Sequence, residues 1–329
     1  MRRVAHAGFK KDFVRSTLLP DWWDDSCGED PTLLPDIELR LARFLGVSVS
    51  ALREPDGRLA PPVYPGAQLR RTRGVERDRL APAIHAAMQV ASAVVRNLKP
   101  TVSAVAMPPA DGLLWREQIR RSSKHLTLKD IAADLWARGI PVVALECLPA
   151  PTFQGLACHV EGRPVVLLGH KRDEPGRVAF FIAHEVGHVA AGDCAPDHPI
   201  VDEEDDIADD EATEVVADRY ATNALTGGNE IPEVKVPDYK TLALRAGEIE
   251  QTQGIDAGAV IFAWARRTGD YAKAAMAVKA LYRATGAMQL LRTHFDSHVD
   301  LVSAPETDRG LLRCVFGDPD RNATAETRA

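Results

Sequence analysis

Arg177-Val-Ala-Phe-Phe-Ile-Ala-His-Glu-Val-Gly-His-Val-Ala-Ala191 decides how the rest of the chain is read. Within it, His184, Glu185 and His188 form the pattern H-E-x-x-H. Residues four apart lie one above the other on an α-helix, so both imidazoles can close on one metal ion. Glu185, one position further, then points toward water beside that ion and can serve as a general base. Pro175 suits the first turn of such a helix, because its missing N–H would have had no partner there, and Gly192 suits its end. Ala179, Ile182, Val186 and Val189 recur at helical spacing as an apolar stripe. Gly187 carries no side chain to crowd whatever packs near the metal. A structural helix with two surface histidines would show the same pattern, and the residues beyond Gly192 decide between the two readings.

After that glycine the chain enters Asp202 to Glu211, where eight of ten residues are acidic and like charges favour a solvated loop. A second helix is predicted over Glu211-Ala-Thr-Glu-Val-Val-Ala-Asp-Arg-Tyr-Ala-Thr-Asn-Ala-Leu225, with Glu214 and Asp218 on one face. Glu214 is expected to be the third metal ligand, and Asp218 to hydrogen-bond a ligating imidazole from behind. Asp209, Asp210 and Glu211 are its rivals. From Glu214 the helical neighbours are Ala217, Asp218 and Ala221, and the alanines let two helices approach closely. From Glu211 they are Glu214, Val215 and Asp218, which would crowd three carboxylates onto one buried face.

Two imidazoles and a carboxylate make Zn²⁺ the expected cofactor, with a position left open for water. Tyr220, Arg219 and His198 are the candidates for a second donor that polarises a substrate carbonyl. Cys194 or His198 could instead close the site as a fourth ligand and make it structural.

Composition sets the wider frame. The 329 residues are 45% hydrophobic and 26% charged, as expected of a folded protein with a polar surface. No apolar run approaches the ~18 residues that a membrane span needs. The start, Met-Arg-Arg-Val-Ala-His, lacks the apolar core of a secretion signal. Five cysteines (27, 147, 158, 194 and 314) are scattered without C-x-x-C spacing, so reduced thiols and a cytoplasmic location are expected. Charge is unevenly split: residues 1–150 carry a net +5 and the remainder −12. Arg70-Arg71-Thr-Arg73 and the stretch from Arg116 to Lys124 are the basic clusters that could face nucleic acid.

The predicted fold class is α+β and mostly helical. Residues 1–62 read as an N-terminal helical module that begins with a basic arm. Its Ile37 to Leu52 segment, with Gly46 at the bend, is helix-turn-helix-like. As a DNA reader, the second helix would offer only Ser48, Ser50, Arg53 and Glu54; a packing hairpin is the other reading. Removing this module is expected to leave the rest folded. Residues 63–110 read as a Pro/Gly-rich linker and a helix over 76–98. Residues 111–285 are the expected metallopeptidase domain, with helices at 111–122 and 127–138, then strands at 140–145, 155–160 and 164–168. An exposed strand edge beside the metal would hold an extended peptide. Residues 286–329 read as a C-terminal helix and polar tail, in which His294 and His298 form a surface pair lacking the glutamate of a metal motif.

Taken together, Phe181-Ile-Ala-His-Glu-Val-Gly-His188 after a strand–turn–strand, followed by Glu214-x-x-x-Asp218-Arg-Tyr-Ala221, resembles the ImmA/IrrE family of zinc metallopeptidases. Gly254-Ile-Asp-Ala-Gly258 through Arg267-Thr-Gly-Asp270 is similar to that family's helical C-terminal section. The resemblance covers roughly residues 125–285. Val216 departs from it where the family often has Glu or Gln, and Asp218 where it often has Asn. It implies a zincin-like, gluzincin-type core with a small sheet beside the H-E-x-x-H helix, and endopeptidase activity. Family members act in bacteria and their mobile elements, several of them cleaving helix-turn-helix repressors under stress. The implied partner is therefore such a transcriptional repressor, in a stress, mobile-element or phage-response switch. The alternative is a DNA-binding sensor or regulator whose zinc site is structural or inactive.

Overall fold

Helices dominate the computed structural model, and a small mixed sheet stands against the H-E-x-x-H helix. It describes residues 2–20, 22–54, 59, 64, 68–69, 77–121, 126–169, 172–195, 199–202, 212–228, 236–281 and 286–316. The chain opens with α1 (Arg2–His6) and α2 (Lys11–Phe13), which runs on as a π-helical turn to Leu18. Next come α3 (Leu34–Leu45), α4 (Val49–Arg53), β1 (Gln68–Leu69) and the long α5 (Arg77–Arg96). The middle of the chain holds α6 (Gly112–Arg120), α7 (Leu128–Ala137), β2 (Val142–Ala144), β3 (Gly155–Val160), β4 (Arg163–Leu168), α8 (Pro175–Ala191), β5 (Ile200–Asp202) and α9 (Ala212–Thr226). It ends with α10 (Tyr239–Gln253), α11 (Ala257–Thr268), α12 (Tyr271–Leu281), α13 (Ala287–His298) and α14 (Glu306–Leu312).

The sheet has the order β1-β5-β3-β4-β2. Strands β3 and β4 form an antiparallel hairpin closed by Val160↔Arg163. Its two-residue turn, Glu161-Gly162, has φ of 51° and 75°, the positive pair whose twist matches that of the flanking strands. Both strands are buried almost throughout, because α5 and α8 both pack on them. A strand covered on both faces reads as a continuous apolar run, as Val165 to Leu168 does.

The edge of β3 is not free beside the H-E-x-x-H helix: β5 pairs antiparallel with it at Gly155↔Asp202, Leu156↔Val201 and Ala157↔Ile200. Ile200 and Val201 are buried, so β5 is held by the core as well as by its ladder. The N-terminal residues also do not stand apart. One continuous core runs from Val4 through the sheet to Phe316. Phe9 is fully buried, 5.6 Å from the Phe13 ring and 5.0 Å from that of Phe44. A separate apolar cluster joins α10, α11 and α12.

The helix-turn-helix-like segment folds as two helices. Gly46 caps α3 in the left-handed conformation, and Ser48 caps α4 by accepting from the Ala51 N–H. Within α4, five residues long, Arg53 is bound to Glu38 of α3. At the other end of the chain, Leu311, Leu312, Val315 and Phe316 are buried, where a polar tail was expected; residues 317–329 lie outside the described ones. His294 and His298 are engaged in packing, with the His298 ring stacked 4.7 Å from Trp136 and its Nδ1 bonded to the His294 carbonyl.

Candidate metal centre

Helix α8 is buried along almost its whole length, which explains why apolar residues surround its histidines on every side. Pro175 stands in its first turn, and Gly192 (φ 79°) ends it. The N–H of Gly192 reaches the Val189 carbonyl and that of Asp193 reaches the His188 carbonyl, the paired bonds of a Schellman ending. Helix α9 lies against α8 where Gly187 meets Ala217; a Cβ on Gly187 would stand 2.9 Å from the Ala217 Cα. That close approach brings the side chain of Glu214 over the two imidazoles.

His184, His188 and Glu214 converge, all buried, as a group able to hold a metal ion. The two Nε2 atoms are 3.3 Å apart. Glu214 places Oε2 at 3.2 Å from His184 Nε2 and Oε1 at 3.4 Å from His188 Nε2. Donors bound tetrahedrally at about 2.0–2.1 Å are separated by about 3.3 Å, close to the separation of the two Nε2 atoms and of each Nε2 from its nearer Glu214 oxygen. No other such group occurs among the described residues.

Each histidine is oriented from behind. His184 Nδ1 lies 2.8 Å from Asp218 Oδ1, and His188 Nδ1 lies 3.0 Å from Asp193 Oδ2. With Nδ1–H donated to a carboxylate, each ring turns its Nε2 lone pair inward. Asp218 is itself held by Arg266 of α11, whose guanidinium also stands 5.3 Å from the Phe180 ring centre. Asp218 was expected in this place from the sequence; Asp193 and Arg266 were not.

Electrostatics favour a cation at this point. Glu185, Glu214, Asp193 and Asp218 bring four carboxylates together, with Arg266 as the guanidinium beside them. Burial alone would raise the Glu214 carboxyl, but hydrogen bonds from His184 and His188, and their charges, hold it well below the usual carboxylate range. Burial likewise draws the His188 imidazole toward neutrality, yet its bond with Glu214 and the charges of Glu185 and Glu214 carry it above its ordinary value, with His184 opposing. These carboxylates hold positive charge, which a divalent cation supplies without a proton.

Glu185 is buried beside this trio, and its carboxylate rests on Gly155 of β3. A Cβ on Gly155 would fall 2.1 Å from Glu185 Oε1, so a side chain here would displace that carboxylate. Cys194 is not one of the converging donors. Its thiol is pushed far up, first by burial and then by the charges of Cys158, Glu185 and Asp193. Tyr220 is buried, stacks on Trp115 at 5.7 Å, and donates its hydroxyl to the Pro109 carbonyl at 3.1 Å. Arg219 is exposed on α9. His198, Asp209, Asp210 and Glu211 lie outside the described residues, as do Arg70, Arg71 and Arg73 of the basic cluster. Arg116, from the other basic cluster, is buried, and its guanidinium takes the Ala224 and Leu225 carbonyls at the end of α9. Burial, then the charge of Arg120, brings its pKa down to about 10. No family model matches the chain, and no curated protein sequence matches it.

Proposed function

We propose that the chain is a zinc-dependent endopeptidase of the ImmA/IrrE type. The observation that carries this reading is the closed set of three donors, His184, His188 and Glu214, with the Glu185 carboxylate buried next to it. A structural metal site has no need of Glu185 and requires a fourth protein ligand, which none of the described residues supplies. Two imidazoles and one carboxylate suit zinc, and such a donor set leaves a position open.

Bound zinc would supply Lewis acidity, lowering the pKa of a water toward about 7. Glu185 is the base that would take a proton from the attacking water and deliver it to the amine nitrogen as the C–N bond breaks. Asp218 and Asp193 hold the proton at Nδ1 of each imidazole and fix the ring direction, so that Nε2 faces the metal position. Arg266 holds Asp218 so that its carboxylate stays on His184. Gly155 gives the Glu185 carboxylate its space.

The substrate in this reading is a protein, a helix-turn-helix repressor by resemblance to the family, and the setting is the bacterial cytoplasm. No described helix is long and apolar enough to cross a membrane, and all five cysteines are free thiols. The DNA-binding alternative is less well supported, since α4 is only five residues long and Arg116 is buried. The test compares zinc-loaded wild type with Glu185→Gln on a helix-turn-helix repressor and on an unfolded protein. Equal zinc content and a turnover lower by about 10²–10⁴-fold are expected in the variant. Comparable cleavage by both proteins would contradict the assignment of Glu185.

A further inference from the structure

The outer edge of the sheet lies on the Glu185 side and is held unequally. β5 is firm on its inner side, where three residues pair with β3 and Ile200 and Val201 are buried. Its last residue, Asp202, stands opposite Gly155, on which the Glu185 carboxylate rests. On the outer side β1 pairs with it in parallel, through Gln68↔Ile200 and Leu69↔Val201 alone. Parallel pairing is the weaker kind per residue, and two pairs make a short ladder.

β1 is joined to anchored chain on both sides. Before it, Leu59 is buried and the Tyr64 hydroxyl bonds to His85 at 3.0 Å. After it, α5 begins at Arg77. The loss of β1 would therefore leave β5 in place with its main-chain N–H and C=O groups open to another strand. Charge sets what that strand can be. β5 runs on into Asp202 to Glu211, where eight of ten residues are acidic. β1, running in the same direction, leads into Arg70-Arg71-Thr-Arg73. Opposite charges on the two continuations supplement a ladder that is short by itself.

We propose that the outer edge of β5 is a docking site for an extended, basic segment of a protein partner, and that β1 is its intrachain stand-in. The partner's segment adds to β5 by main-chain hydrogen bonds in the place of Gln68 and Leu69. Its lysines or arginines answer the charge of the acidic stretch, which gives the edge its selectivity. Docking brings the partner to the strand that ends beside Gly155 and Glu185. It requires the sheet and not the metal ion.

Fluorescence anisotropy with a labelled peptide of residues 66–74, Gly-Ala-Gln-Leu-Arg-Arg-Thr-Arg-Gly, tests it on the full chain. The protein carries Glu185→Gln and is measured with and without zinc; binding is read, so failure of Glu185 as a base would leave the test intact. Adding Gln68→Pro and Leu69→Pro removes both N–H donors of β1. Saturable binding is expected there, at least about tenfold tighter than with β1 intact, because the tethered strand no longer competes. A second variant, with Arg70, Arg71 and Arg73 each replaced by Glu, repels β1 without prolines and is expected to show the same gain. Binding is expected to weaken as salt rises from about 0.05 to 0.5 M, and a peptide with glutamates for its arginines is expected not to bind. An equal Kd with β1 intact and in both variants would overturn the proposal. So would equal binding of the acidic peptide, binding that disappears with zinc, or no saturable binding to either variant up to about 1 mM.

Discussion

Asp193 sets its carboxylate 3.0 Å from Nδ1 of His188, five residues back along the chain, and so takes the place behind one imidazole that Asp218 takes behind the other. The two contacts arise differently. Asp218 comes from a separate helix, whereas Asp193 is returned to His188 by the Schellman ending of the helix that bears it.

Asp193→Ala and Asp218→Ala are each expected to weaken metal binding by about 10–100-fold while the protein stays folded. Arg266→Ala, one contact further out, is expected to weaken it by less. Competition against a chelator of known affinity measures all three. Metal affinity unchanged in both aspartate variants would show that the imidazoles are oriented by packing alone.

Gly155→Ala probes the contact between the sheet and Glu185. Its Cβ would fall 2.1 Å from Oε1, so Glu185 or β3 must move, at a cost of about 1–3 kcal/mol. The expected result is a lower melting temperature, retained metal and sharply reduced turnover. An alanine variant as active and as stable as wild type would mean that Glu185 rests elsewhere.

Much of this architecture was legible in the sequence. The period of α8, the hairpin turn at Glu161-Gly162 and the Gly155–Val160 strand follow from local pattern, and they lie where that pattern puts them. Glu214 could be chosen over its rivals because Ala217 allows α9 to approach Gly187. What local pattern did not give is held by distant contacts. β5 is three residues long and runs into an acidic stretch, and only pairing with β3 and burial of Ile200 and Val201 make it a strand. Arg266 meets Asp218 across 48 positions, with no sequence signal to link them. Asp193 could have been found, since a Schellman glycine at 192 returns the following residue's N–H to the carbonyl of His188, the fourth-last residue of the helix.

The N-terminal helices give a test of how the chain is divided. Phe9→Ala is expected to cost about 3–5 kcal/mol, because Phe9 is fully buried among Phe13 and Phe44. Deleting residues 1–62 is expected to yield a protein without a cooperative thermal transition. A sharp unfolding transition in the truncated chain would instead establish a separable module.

His85 makes the same junction sensitive to pH. Its Nε2–H donates to the Phe44 carbonyl at 2.5 Å, and its Nδ1 accepts from the Tyr64 hydroxyl at 3.0 Å, which fixes the neutral form. Burial lowers its pKa, with the Phe44 carbonyl opposing. Because the folded pKa lies below the unfolded value of about 6.5, the contribution is complete above that value and is lost as pH falls below it. Urea unfolding at two pH values on either side should show this loss in wild type and a smaller one in His85→Gln. An equal pH dependence in the two proteins would assign the effect to other groups.

His184, His188 and Glu214 are expected to hold one metal ion in an open site. Anomalous scattering from crystals of the zinc-loaded protein, recorded on both sides of the zinc absorption edge, tests it most directly. The expected map has a single peak bonded to Nε2 of both histidines and to a Glu214 oxygen, with no fourth protein ligand. A peak closed by a fourth side chain, or one that leaves Glu214 unbound, would contradict it.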